Sequence, residues 1–135
     1  MLAGIRFTQD NYKMVDSEGG GEVERKRIYT NPDPTVEMTG DALFNVPDTD
    51  GYNYLSFIVT STDGATEIEE ICELAPLKQL SGQFIISMPG ADALYGRKVY
   101  RTAGVVKPSV SVYNLGQTTG DRNYCIIKSI DALKI

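Results

Sequence analysis

The 135-residue chain contains no histidine and no tryptophan. Lack of histidine removes the commonest general base and the commonest transition-metal ligand. Lack of tryptophan removes the largest aromatic face on which a ligand can stack. Cysteine is scarce: Cys72 and Cys125 are too few for a disulfide framework and lack the C-x-x-C spacing of zinc or redox sites. Each lies in an apolar run, Ile71-Cys72 and Cys125-Ile126-Ile127, where a reduced thiol behaves as a small hydrophobe. Two reduced core thiols are therefore the favoured expectation, with one structural disulfide as the alternative. A catalytic thiol is disfavoured because no imidazole exists to activate it. Long hydrophobic runs are also missing: nothing approaches the ~20 apolar residues that span a bilayer. The first residues, Met1-Leu-Ala-Gly-Ile-Arg-Phe, lack the charged segment and long apolar stretch of a signal peptide. A chain made in the cytosol with no membrane partner is expected. No G-x-S-x-G, S-x-x-K or G-x-x-x-x-G-K-[ST] motif occurs, so no enzymatic activity and no cofactor are expected.

Hydrophobic residues at 41% and charged residues at 23% are ordinary globular values, and the length suits one domain with one core. The net charge of −5 opposes general binding to phosphate backbones, so nucleic acid is not an expected partner. Short β-branched and aromatic runs, cut apart by Gly, Pro, Asn and Asp, run along the chain and predict strands. The clearest is Tyr52 to Thr60 (YNYLSFIVT), with Leu55, Phe57 and Val59 on the face assigned to the core. Other predicted strands are 22–30, 35–38, 42–46, 83–88, 97–103, 109–113 and 123–130. Residues 66–74 (TEIEEICEL) fit either a strand or a helix, and strand is preferred because the Asp63-Gly64 turn precedes them. Pro47-Asp48-Thr49-Asp50-Gly51 predicts a tight turn. Residues 1–21, ending in Ser17-Glu18-Gly19-Gly20-Gly21, read as a strand or arm followed by a flexible Gly-rich linker, and 22–135 as the domain. The predicted fold is all-β, a single antiparallel β-sandwich with a flexible N-terminal arm.

The order YNYLSFIVTSTDGAT, SGQFIISM, SVSVYNLG and GDRNYCIIKSIDALKI resembles the later strands of jelly-roll β-sandwiches of the galactose-binding-like and carbohydrate-binding-module type. The resemblance covers roughly residues 42–135 and is one of pattern. It implies a jelly-roll-like sandwich and a glycan-binding or structural role. The absence of Trp weakens the glycan implication. Such jelly rolls also recur in capsid decoration, head-fibre and tail-adaptor proteins of tailed-phage virions, which this acidic, His-free chain resembles too. A virion accessory that self-associates or joins a larger shell or fibre is the expected function, and a carbohydrate-binding module is the alternative.

Five groups of residues are candidates for function. Arg25-Lys26-Arg27 and Tyr95, Arg97, Lys98, Tyr100 and Arg101 are the dense positive patches; they read as a protein interface or as charge that protects a strand edge. Arg25 and Arg27 share a strand face, with Lys26 on the other. Tyr52 and Tyr54, on one strand face, and Tyr113 are the candidate stacking platform for a sugar. Asp48-x-Asp50-Gly51 is a fragment of a calcium loop, though ordinary turn chemistry accounts for it. Glu67, Glu69, Glu70 and Glu73 are the closest approach to paired catalytic carboxylates. They fit better as a solvated or interface-facing acidic edge that could meet a basic patch on a neighbouring copy.

Overall fold

A computed structural model describes residues 5–8, 13–16, 22–79, 82–90, 93–114 and 120–135. Its strands are β1 (Ile5–Thr8), β2 (Lys13–Asp16), β3 (Glu22–Thr30), β4 (Phe44–Asn45), β5 (Tyr54–Thr60), β6 (Glu67–Glu73), β7 (Gln83–Pro89), β8 (Leu94–Thr102), β9 (Val105–Asn114) and β10 (Ile126–Lys134). One sheet has the order β1-β2-β3-β10-β5-β6 and the other β4-β9-β8-β7, and the pairings described are antiparallel. The chain is an all-β sandwich. The pairs β3·β10 and β4·β9 set an early strand beside a late one in each sheet. The intervening strands close locally, as the hairpin β5–β6 and the meander β7–β8–β9.

Local chemistry explains most of these elements. Leu55, Phe57 and Val59 are all fully buried, as period-2 alternation predicts, in one core with Ile86, Met88, Val99 and Val106 of the other sheet and with Ile126 and Ile130 of the neighbouring β10. Phe57 packs edge-on against Phe84 across the two sheets, with ring centroids 5.2 Å apart. Gly51 and Gly64 adopt φ of +90° and +72° at the predicted turns. Ala103 and Gly104 both have positive φ and form the two-residue turn that joins β8 to β9 with the twist a hairpin requires. Residues 67–73 are a strand, as preferred, because β5 supplies a full antiparallel register from Tyr54↔Glu73 to Thr60↔Glu67. Cys72 and Cys125 are both free.

The structure also departs from the predicted elements. Residues 35–38 are not a strand. Asn31 Oδ1 accepts from Asp33 N at 2.9 Å, and Asp33 Oδ1 accepts from Thr35 N at 3.1 Å, so side chains rather than a partner strand hold this loop. Two segments of the expected arm, Ile5–Thr8 and Lys13–Asp16, are strands that extend the sheet from β3. The glycine-rich run 17–21 lies outside the described residues. Pro108, just ahead of the predicted strand 109–113, sits inside β9. It is tolerated because the β8·β9 register shifts there: Val99 pairs with Pro108 and Arg97 with Val112, leaving a bulge where ladder bonds are already broken.

Candidate functional site

The two positive patches meet different fates. On the outer face of the six-stranded sheet, Arg25 Nε donates to Asp131 Oδ2 at 2.6 Å, and Arg27 Nε donates to Asp131 Oδ1. Arg25 Nη2 also donates to Ser56 Oγ at 3.0 Å and to Glu69 Oε2 at 2.9 Å, and Ser56 Oγ donates to the same Glu69 oxygen at 2.6 Å. The register explains the convergence, since β10 pairs with β3 and β5 at once and sets Asp131 opposite both Arg27 and Ser56. The Arg25 side chain is only 7% exposed and that of Asp131 4%. Arg25 is thus a component of a buried ion cluster beside the small apolar group of Val23 and Leu133, and its guanidinium is not displayed to a partner. Lys26 is exposed, and its ammonium lies 3.4 Å from Asp48 O.

Arg97, expected at an interface, is fully buried. Its Nε donates to Cys125 O at 2.8 Å, and its Nη1 donates to Ser109 O, with Val110 O and Tyr124 O each at 3.4 Å. Ser109 and Val110 belong to the β9 bulge, and Cys125 has φ +55°. The planar guanidinium therefore meets backbone carbonyls that an irregular stretch of two segments fails to pair. Burial pulls its pKa down to about 10, which leaves it charged at neutral pH. Tyr95 stacks on Tyr124 with centroids 4.3 Å apart and packs on the core. Arg101 Nη1 donates to Lys78 O at 2.8 Å and holds the 3-10 turn Ala75–Lys78. Of the second patch, Lys98 and Tyr100 are left on the surface, with the Lys98 ammonium 5.8 Å from the Tyr100 ring centroid.

The three tyrosines of the candidate sugar platform are not brought together. Tyr52 precedes β5 and packs against the main core, while Tyr54 packs on the Val23 and Leu133 group outside the six-stranded sheet. Tyr113 lies on the other sheet. Concavities of about 360 Å³ at residues 29–42 and about 500 Å³ around Thr30, Ile58 and Lys128 contain none of the three. Asp48 Oδ2 accepts from Asn45 N at 3.1 Å, which is turn capping. Among the described residues no three His, Cys, Asp or Glu side chains are grouped to hold a metal.

The glutamates lie on β6, an edge strand of the larger sheet. Glu67 bonds Lys128 at 2.8 Å and Glu69 bonds Arg25. Glu70 crosses to the second sheet and accepts from Ser87 N of β7 at 3.0 Å. Burial pushes the Glu70 carboxyl above the usual range, against the pull of that hydrogen bond. Each of these three carboxylates has a structural partner.

Lys98, Tyr100 and Tyr113, candidates from two different groups, lie together on the outer face of the four-stranded sheet, among residues that were not candidates. The registers Ile85↔Lys98, Ser87↔Gly96, Pro89↔Leu94, Gly96↔Tyr113 and Tyr100↔Lys107 set these residues on one face, because directly paired residues point the same way. Ile85, Leu94 and Tyr113 are 52%, 46% and 43% exposed. Around them, residues 93–120 carry Arg97, Lys98, Arg101 and Lys107 and no acid. Residues 28–77, by contrast, carry ten Asp and Glu and no Lys or Arg. These charge blocks were available to inspection of the sequence, but a net charge of −5 averages over them. The chain matches no protein-family model, no curated protein and no solved structure. No helix among the described residues is long and apolar enough to cross a membrane.

Proposed function

We propose that the chain is a non-enzymatic assembly module that joins copies of itself, the outer face of the four-stranded sheet docking the acidic surface of the next copy. A virion accessory, such as a capsid decoration, head-fibre or tail-adaptor protein, is the setting its sequence resemblance suggests. One observation carries the proposal: exposed Ile85, Leu94 and Tyr113 share a face with Lys98 and Lys107, and residues 28–77 of the same chain carry ten acids and no Lys or Arg of their own, of which Glu37, Glu67 and Glu69 pair with Arg122, Lys128 and Arg25. Apolar anchors ringed by one sign of charge suit a protein contact, and complementary charge selects and orients the partner. The contact is heterologous, so it propagates as a ring or an open array according to the angle between copies.

Light scattering coupled to size exclusion, at two protein concentrations and two ionic strengths, tests this. Species larger than 14.8 kDa are expected, diminished by salt and by the double change Lys98→Glu and Lys107→Glu. A monomer at every concentration that binds glycans in a screen would refute assembly and favour the carbohydrate-binding alternative.

A further inference from the structure

The ten acids of residues 28–77 differ in what already holds them. On β6, Glu67 is paired with Lys128 and Glu69 with Arg25, and Glu70 accepts from Ser87 N. Asp33, Glu37 and Asp41 instead gather, all exposed, around the concavity of about 360 Å³ at residues 29–42. Asp33 Oδ1 accepts from Thr35 N at 3.1 Å and Asp41 Oδ2 from Thr39 Oγ1 at 2.6 Å, neutral donors that leave both charges in place. Arg122 reaches Glu37 at 3.9 Å with both side chains more than half exposed, a loose surface pair that offsets one of the three charges. The wall is apolar as well as acidic: Val36, 53% exposed, and Met38 both line it. Gly40, also in the wall, has φ +82°, and a Cβ there would stand 3.0 Å from Val110 Cγ2. The concavity therefore abuts β9, a strand of the sheet whose outer face carries Lys98 and Lys107.

We infer that this concavity is the socket of the assembly contact. It receives the outer face of the four-stranded sheet of the next copy, Val36 against the apolar anchors and the carboxylates against Lys98 and Lys107. The inference rests on the assembly reading and names the part of the acidic surface that the contact uses. A second copy is the occupant because one chain carries both halves of the match. The face has two lysines among exposed Ile85, Leu94 and Tyr113, with no acid in residues 93–120. The socket has two negative charges beyond the one that Arg122 offsets, an exposed valine, and no Lys or Arg in residues 28–77. A foreign partner requires only one of these surfaces. Between copies, opposite charges face each other and set the orientation. Arg122, the cation beside Glu37, is exposed enough to turn into solvent, and the paired β6 glutamates keep their own partners.

Charge reversal on each side, read by sedimentation velocity of the full chain, tests the match. One variant is Lys98→Glu/Lys107→Glu and the other Glu37→Lys/Asp41→Lys. Each alone sets like charge against like, and association should weaken about tenfold or more. Mixed in equal amounts, they restore opposite charges at the contact. Association should then return to nearly the wild-type level and fade at about 1 M salt. Both variants remain net negative, so bulk attraction between them does not account for a recovery, and the recovery itself shows that both fold. Val36→Ser changes no charge, should weaken association several-fold, and carries the test if a charge variant fails to fold. A Glu37→Lys/Asp41→Lys variant that associates like the wild type, while the lysine variant does not, puts the contact on other acids; it overturns the socket and leaves the assembly reading standing. A mixture of folded variants that fails to recover overturns the socket as well. A wild type that is monomeric at every concentration overturns both.

Discussion

Replacing Arg97 by lysine should destabilise the protein more than replacing it by methionine, against the ordinary ranking of conservative changes. The guanidinium is fully buried and bonds the carbonyls of Cys125 and Ser109, with two weaker contacts at 3.4 Å to Val110 and Tyr124. Burial of the cation has a cost: its pKa falls from the ordinary guanidinium value to about 10, worth roughly 3 kcal/mol at ~1.4 kcal/mol per unit. Methionine fills similar space, strands two carbonyls at ~1–3 kcal/mol each, and removes the cost of the buried charge. The net loss is about 1 kcal/mol. Lysine retains a buried charge but presents a compact ammonium on a flexible stem where a planar fork is needed. It strands at least one carbonyl, adds the heavier desolvation of an ammonium, and should cost about 3 kcal/mol. In a 135-residue chain, with ~2.1 cal/mol/K per residue of unfolding entropy, that is a fall in Tm of about 10 °C. Urea unfolding of the three proteins at neutral pH, with slopes compared to establish a common unfolded state, measures both differences. A lysine variant as stable as the methionine variant, or more so, would show that the site wants a cation and not a fork, and would refute the assignment of Arg97 to the carbonyls of the bulge.

Asp131→Asn should destabilise the domain by roughly 3 kcal/mol, since Arg25, 7% exposed, and Arg27 both lose their shared anion; chemical denaturation reads it, and a change below ~1 kcal/mol counts against the cluster. Desolvation raises the thiols of Cys72 and Cys125 to about 11, so at pH 8 both are protonated. A thiol-reactive dye should modify buried Cys125 no faster than the protein unfolds, and rapid native-state labelling would contradict its placement. Burial raises the Glu70 carboxyl above its unfolded value, so its ionisation works against the folded state. That cost is absent below the unfolded pKa and builds as pH rises from there through the folded one. Glu70→Gln should accordingly be the more stable form at pH 7, with the gap closing towards pH 4; a gap that widens on acidification would reverse the sign.

The sequence determined by itself what depends on neighbours along the chain. Period-2 alternation in YLSFIVT put Leu55, Phe57 and Val59 inside, and Asp63-Gly64 and Asp50-Gly51 placed turns because glycine admits the positive φ those turns need. Even the strand at 67–73 was legible through the turn before it. The fate of the cations was not, because their partners come from afar. Arg25 and Arg27 share a face, as alternation predicts, but the carboxylate that takes them both is Asp131, 106 residues from Arg25. Its position between β3 and β5 exists only once β10 has been inserted. Arg97 and Lys98 are adjacent in sequence and look alike in it. A register shift in β9 turns one into the satisfaction of buried carbonyls and leaves the other on the surface. Local chemistry decides whether a residue lies in a strand and which way it alternates. Only long-range pairing decides what stands opposite it, and for a charged side chain that is the difference between a structural bond and a surface for a partner.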